Sequence, residues 1–184
     1  MKNKLPSQLK FMIFVVLITV GITLLVRHFH ISDFYIVKPN VLYTSGQPRG
    51  MDYTRLLYKY HIAAIINLRQ ESEHRDENWH NEEVVWTRNN GVRYFEMPVD
   101  KNNSIPNGEI QAEFLSIMAD KNNLPILLHG GSDDKRVALL TAVWLVKTQD
   151  YTIEQTSQVL SKMLDSRALV ESETRFLQTL KKQN

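Results

Sequence analysis

Apolar positions fall into blocks of different period along this chain. Residues 11–26 run on without a charged side chain, and an ordinary mixture of polar and apolar positions begins only after Arg27. Residues 51–60 place Leu56, Leu57 and Tyr60 on one face at helical spacing. Residues 62–68 are an apolar run broken only by Asn67, the pattern of a central strand covered on both faces. Residues 71–90 are charged but carry Trp79, Val84, Val85 and Trp86, which predicts a helix with one packed face, stopped by Asn89-Asn90-Gly91. Residues 92–97 form the next strand, ended by Pro98, and residues 107–119 a helix with Ile110, Phe114 and Ile117 on one side. Residues 125–128 read as another buried strand, residues 136–148 as a strongly apolar helix, and residues 153–164 and 171–180 as amphipathic helices. A short strand at 41–43 precedes them all. Short strands alternating with helices predict an α/β domain on a central, mostly parallel sheet flanked by helices.

The charge-free run is a little shorter than the ~20 residues that span a bilayer comfortably. Lys10 and Arg27 flank it and can snorkel, which extends its reach. A cleaved signal peptide would leave small residues behind the run, where Arg27-His28-Phe29-His30 stands instead. The sequence therefore predicts one transmembrane helix, with a cleaved signal or a buried core helix as alternatives. Lys2, Lys4 and Lys10 precede the run, so the positive-inside rule places the N-terminus in the cytoplasm and the C-terminal domain outside it. The expected organisation is a stub at 1–10, an anchor at 11–27, a linker at 28–40 and a folded domain at 41–184. The net charge of +2 gives no footing for nucleic acid. The chain has no cysteine, which fits either side of a membrane.

The candidate chemistry lies in Pro125-Ile126-Leu127-Leu128-His129-Gly130-Gly131-Ser132-Asp133-Asp134-Lys135-Arg136. A strand that turns tightly into a helix points backbone N–H groups and the positive end of the helix dipole at one spot, a natural anion cradle. Arg136 in the first helical turn adds a planar two-pronged donor suited to phosphate. By this reading the phosphate-binding candidates are His129, Gly130, Gly131, Ser132, Asp133, Asp134, Lys135 and Arg136.

The wider sequence resembles the dual-specificity and tyrosine phosphatase superfamily, especially its small bacterial members. Five stations match in order: Leu42-Tyr43 with Ser45-Gly46-Gln47-Pro48, then Ile65-Ile66-Asn67-Leu68-Arg69, then Gly91-Val92-Arg93-Tyr94-Phe95 through Met97-Pro98-Val99, then residues 125–129, then Arg136. The resemblance covers about residues 38–165 and implies a cysteine-phosphatase-like α/β fold. It also implies a loop of the form His-Cys-x5-Arg, in which a cysteine thiolate attacks phosphorus and an aspartate protonates the leaving oxygen. Asp100 stands where that general acid is expected, with a turn-capping aspartate as the alternative reading. Gly130 stands where the nucleophile is expected. Asp133 replaces a loop glycine, Asp134 adds a second carboxylate with Lys135 beside it, and Val137 replaces a hydroxyl residue. Two carboxylates repel an incoming phosphate unless they point away.

These departures imply a phosphatase-like domain with a degenerate loop, a pseudophosphatase that retains a phosphorylated or anionic ligand. The alternatives are an active phosphomonoesterase with a nucleophile such as Ser132 or Asp133, served by His129 or by a metal, and a non-enzymatic interaction module. His129 reads more simply as a packed residue that supports the loop. His74, Asp76, His80 and Glu83, with Glu77 and Glu82, offer ligand types for a divalent metal, but alternating charges mark a solvated helix face, and neither a metal nor another cofactor is expected. The expected partners are a phosphorylated protein, lipid or other phosphate ester, and a membrane through the N-terminal helix.

Overall fold

The computed structural model describes residues 6–29, 31–75, 77–132, 134–164 and 169–180. The chain divides into two units, Met1–His30 and Ile31–Asn184. Among the described residues the first holds one helix, α1 (Ser7–Phe29). Within it the Thr19 and Thr23 hydroxyls donate to the carbonyls of Val15 and Thr19, at 2.9 and 2.8 Å, so neither is left without a partner.

The expectation of a membrane-spanning anchor is corrected here. Among the described residues no helix is long and apolar enough to cross a membrane. Ser7, Gln8 and Lys10 open α1, and its charge-free run ends at Val26, before Arg27. Residues 11–26 make about 24 Å of helix at 1.5 Å per residue, against a hydrocarbon core of about 30 Å. The single-pass topology, its orientation and the membrane as a partner fall with the anchor.

The second unit is a five-stranded mixed sheet in the order β1-β2-β5-β3-β4. Strand β1 (Tyr35–Lys38) runs antiparallel to β2 (Leu42–Ser45), while β2, β5 (Ile126–His129), β3 (Ala64–Asn67) and β4 (Arg93–Glu96) are mutually parallel. Successive strand residues face opposite sides, so each strand feeds two cores. On one side Leu42, Ala64, Ile66, Ile126 and Leu128 pack against Phe114 and Ile117 of α4 (Gly108–Ala119) and Leu140 and Trp144 of α5 (Lys135–Thr148). On the other, Tyr43, Ile65 and Leu127 meet Tyr53 and Leu56 of α2 (Met51–Tyr58) and Trp86 of α3 (Trp79–Asn89). The far face of α5 packs through Leu139, Ala142 and Val143 on Leu160 of α6 (Ile153–Met163) and Phe176 and Leu177 of α7 (Glu171–Leu180). That double burial explains why α5 reads as apolar almost all round.

Two elements differ from the sequence reading. The supposed linker contains β1, whose alternating burial over four residues with Ile36 exposed is too short a pattern to stand out. The single helix expected over 71–90 is instead a 3₁₀ turn at Glu71–Glu73 followed by α3. The Gln70 and Glu73 side chains close that turn on themselves as a capping box. The stop at Asn89-Asn90-Gly91 is as expected, with Gly91 in the left-handed region at φ 67°.

Register sets the functional end of the molecule. Ser45 and Asn67 both stand opposite His129, so three parallel strands finish at one level. The segments that follow them, together with Met97–Val99 after β4, gather at the carboxyl edge of the sheet, where α/β folds place their sites.

Candidate functional site

Asp134 organises the loop. It is the N-cap of α5, and its Oδ1 accepts the Arg136 backbone N–H at 3.0 Å, as N-cap carboxylates do. Its Oδ2 accepts the Gly131 N–H at 2.8 Å. The same carboxylate also accepts from the Arg136 guanidinium: Nε donates to Oδ1 at 2.8 Å and to Oδ2 at 3.0 Å, and Nη2 donates to Oδ2 at 2.5 Å. The carboxylate thus takes the amides and the guanidinium that would otherwise serve an external anion.

Arg136 is wholly buried. Its remaining donors go to Glu73, with Nη1 2.6 Å from Oε1 and Nη2 3.0 Å from Oε2, and to the Val99 carbonyl, 2.8 Å from Nη1. A guanidinium has five N–H groups, and each of these has an acceptor. Burial opposes the charge, but hydrogen bonds and charge from Asp134 and Glu73 outweigh it and hold the guanidinium above its ordinary pKa. Burial likewise pushes the Glu73 carboxyl up, yet the Arg136 and Gln70 hydrogen bonds and the charges of Arg136 and Arg69 bring it down to about 2.

Gly130 follows from this arrangement. A Cβ built on it would stand 2.1 Å from Asp134 Oδ2, 2.6 Å from its Cγ and 2.9 Å from its Cβ. The glycine is needed for space and not for a special backbone: among the described glycines only Gly50 and Gly91 have positive φ. The position that would carry a nucleophile therefore lies against a carboxylate, and the charge of that carboxylate stands roughly where a thiolate would.

Beneath the loop lies a second polar group of residues. His129 and Glu83 are both completely shielded, with His129 Nε2 3.2 Å from Glu83 Oε2, a close contact without the alignment of a full hydrogen bond. Glu83 also accepts from Tyr53 Oη at 3.2 Å, Tyr94 Oη at 3.1 Å and Gln47 Nε2 at 3.3 Å. Burial alone would raise the Glu83 carboxyl, but the His129 charge and these hydrogen bonds lower it overall. Burial and the Glu83 charge push both tyrosines above their ordinary range. Gln47 continues the chain of contacts: its Oε1 accepts from Arg69 Nη1 at 3.3 Å, and Arg69 Nη2 donates to the Glu73 carbonyl at 2.8 Å. Arg69 also stacks on Trp79, 4.1 Å from the ring centre.

Above the loop is a cavity of about 410 Å³, lined by Gln47, Arg49, Arg69, Glu73, Glu77, Lys101, Ser104, Gly131, Ser132, Asp134, Lys135 and Leu164. Arg49 and Lys101 are exposed and have no ion-pair partner among the described residues. Lys135 is engaged away from Asp134: its Nζ donates to Glu173 Oε2 of α7 at 2.9 Å.

Not every sequence candidate joins this site. Asp100 is exposed, and its Oδ1 accepts the Asn102 N–H at 2.9 Å, closing a turn. Among the described residues no contact joins it to Asp134 or Arg136. Ser132 lines the cavity, but His129 is turned away from it towards Glu83. Asp133 and Asp76 lie outside the described residues. Around the suggested metal ligands, His74 stacks on His80 with ring centres 4.1 Å apart, and His80 Nε2 meets Glu96 Oε1 at 2.5 Å, while Glu83 is buried elsewhere. Among the described residues no group of three or more such side chains is arranged to hold a metal.

Glu73 and the inward turn of Asp134 escape sequence reasoning. Nothing in the string separates Glu73 from Glu71 or Glu77. Glu83 does carry a signal: with Trp79 and Thr87 it forms a buried stripe at spacings of four.

Solved structures show the same fold. The core catalytic domain of the PP-IP phosphatase Siw14 from S. cerevisiae, in complex with citrate, matches with a TM-score of 0.66 at 18% identity, over 81% of this chain and 85% of that one. A DUF442 protein of Shewanella putrefaciens CN-32 matches with 0.63 at 22% identity, over 82% and 89%. A variant of P. aeruginosa TpbA in complex with pTyr matches with 0.58 at 15%, over 81% and 88%. No curated protein shows significant sequence similarity to the chain. The model of the family described as DSP-PTPase phosphatase fused to NAD+ kinase matches residues 36–178, so the chain belongs to that dual-specificity phosphatase-like family.

Proposed function

We propose that this chain is a non-hydrolytic member of its family that recognises a phosphorylated or otherwise anionic ligand in the cavity above the loop. One observation carries the reading: Asp134 Oδ2 lies 2.1 Å from where any side chain on Gly130 would begin. Covalent phosphoryl transfer needs a nucleophile at that position and a guanidinium free to hold the equatorial oxygens. Gly130 supplies no nucleophile, and Arg136 has no donor to spare.

Recognition is supported by the cations that remain. Arg49 and Lys101 line the cavity without charge partners among the described residues, and both side chains suit a phosphate or carboxylate. Two of the structures with this fold are complexes with anions, citrate in one and pTyr in the other, which is consistent with an anionic ligand.

The ligand half of the proposal is tested with O-phosphotyrosine and the full chain. Its melting temperature is expected to rise with ligand, and the rise to disappear in Arg49→Ala/Lys101→Ala. No rise at millimolar ligand, or a rise indifferent to both substitutions, would remove the recognition role.

A further inference from the structure

Gly130 and Asp134 are two departures from the family pattern, yet the structure makes them one. A side chain at 130 and a carboxylate turned inward at 134 cannot share the same space, since a Cβ at 130 would overlap Asp134 Oδ2, Cγ and Cβ together. What the carboxylate gains there is unusual for a helix cap. Besides the Arg136 N–H that any N-cap side chain accepts, it takes the Gly131 N–H and three contacts from a buried guanidinium. Glu73 holds the same guanidinium from the other side, so Arg136 stays in place beneath the loop.

We infer that Asp134 is a tethered occupant of the loop's anion seat, and that Asp134, more than the missing nucleophile, decides whether a free tetrahedral oxyanion enters. This deepens the non-hydrolytic reading and rests on it. The seat itself is kept: the strand end, the Gly131 amide, the helix N-terminus and Arg136 are all present and aimed at one point. A tethered carboxylate competes with free anions at the high effective concentration of an intramolecular group. Apparent affinity for the free anion then falls by the fraction of molecules in which the seat is open.

Asp134→Ser is the discriminating variant, because serine keeps the N-cap while removing the carboxylate. Tungstate, a heavy tetrahedral oxyanion, is titrated into the full-length wild-type and variant chains by calorimetry. The variant is expected to bind at least about tenfold more tightly than wild type, and its crystals soaked in tungstate to show the anion against Gly131 and Arg136. A folded variant whose affinity stays within about threefold of wild type overturns the inference. If Asp134→Ser does not fold, Asp134→Asn keeps both size and cap and removes only the charge. A gain in tungstate binding is still expected there, and its absence counts equally against the inference. Wild-type hydrolysis of a phosphate ester would instead end the non-hydrolytic reading, so the two failures are told apart.

Discussion

Glu83 Oε2 lies 3.2 Å from His129 Nε2, and neither side chain reaches solvent. The contact joins α3 to the end of β5, directly beneath the loop. Tyr53 from α2, Tyr94 from β4 and Gln47 from the segment after β2 converge on the same carboxylate. A buried charge is tolerated only when paired and hydrogen-bonded, so this cluster fixes the floor of the site to four separate elements.

Removing the carboxylate should be costly. Glu83→Ala removes the carboxylate beside His129 and leaves two tyrosine hydroxyls and the Gln47 amide without their acceptor, and a loss of roughly 3–5 kcal/mol is expected, as for other broken buried pairs. Urea unfolding at pH 7 measures it. A loss below about 1 kcal/mol would mean that the cluster is not coupled to folding.

The acid limb of stability carries two signatures. Glu73 titrates near 2 in the folded chain, below the ordinary value of 4.5. A depressed carboxylate contributes stability above its unfolded pKa, and that contribution is lost as pH falls through the folded one. The Glu73 share is therefore complete above about pH 4.5 and vanishes towards pH 2. Glu83 is depressed as well and acts with the same sign. Glu73→Gln is expected to flatten stability against pH across that window while changing little of the slope above pH 6. An unchanged acid slope would contradict the Glu73–Arg136 pairing.

Arg136→Met leaves Asp134 and Glu73 without their common counter-charge in a shielded place. A loss of roughly 3–5 kcal/mol is expected. Adding Asp134→Ser and Glu73→Gln should recover a large part of it, since the stranded charges are then gone. Chemical denaturation of the three chains measures this, and a triple variant no more stable than Arg136→Met would show that the guanidinium matters for packing alone.

Gly130→Ala sets a methyl against the Asp134 carboxylate and should destabilise by roughly 1–3 kcal/mol, either by overlap or by expelling the carboxylate from its hydrogen bonds. The cost should largely vanish in an Asp134→Ser background, giving a coupling above about 0.5 kcal/mol in a double-mutant cycle. Additive effects would place the two residues apart.

The sheet and most of its helices were legible because their signals are local. Residues 62–68 are apolar but for Asn67, and β3 is buried on both faces. Residues 125–128 marked the strand that enters the loop, and the end of that strand and Arg136 lie at the sheet's carboxyl edge. What could not be read is where side chains of ordinary type point. Asp134 looked like a charge that would repel a ligand, whereas it turns inward and takes the ligand's donors. Asp100 stood at the position of a general acid but caps a turn. Glu73 gains its role only because the turn at Glu71–Glu73 brings it to Arg136 across 63 positions of sequence. The membrane anchor expected at 11–27 rested on a charge-free run and its basic flanks, and no helix among the described residues is long and apolar enough to cross a membrane.

The most direct measurement is hydrolysis of para-nitrophenyl phosphate by the purified full-length chain, set beside Arg136→Lys. A loop without a nucleophile at Gly130, and with its guanidinium fully engaged by Asp134 and Glu73, should give no turnover above buffer in either protein. Saturable wild-type turnover that falls by about a hundredfold or more in Arg136→Lys would contradict the account.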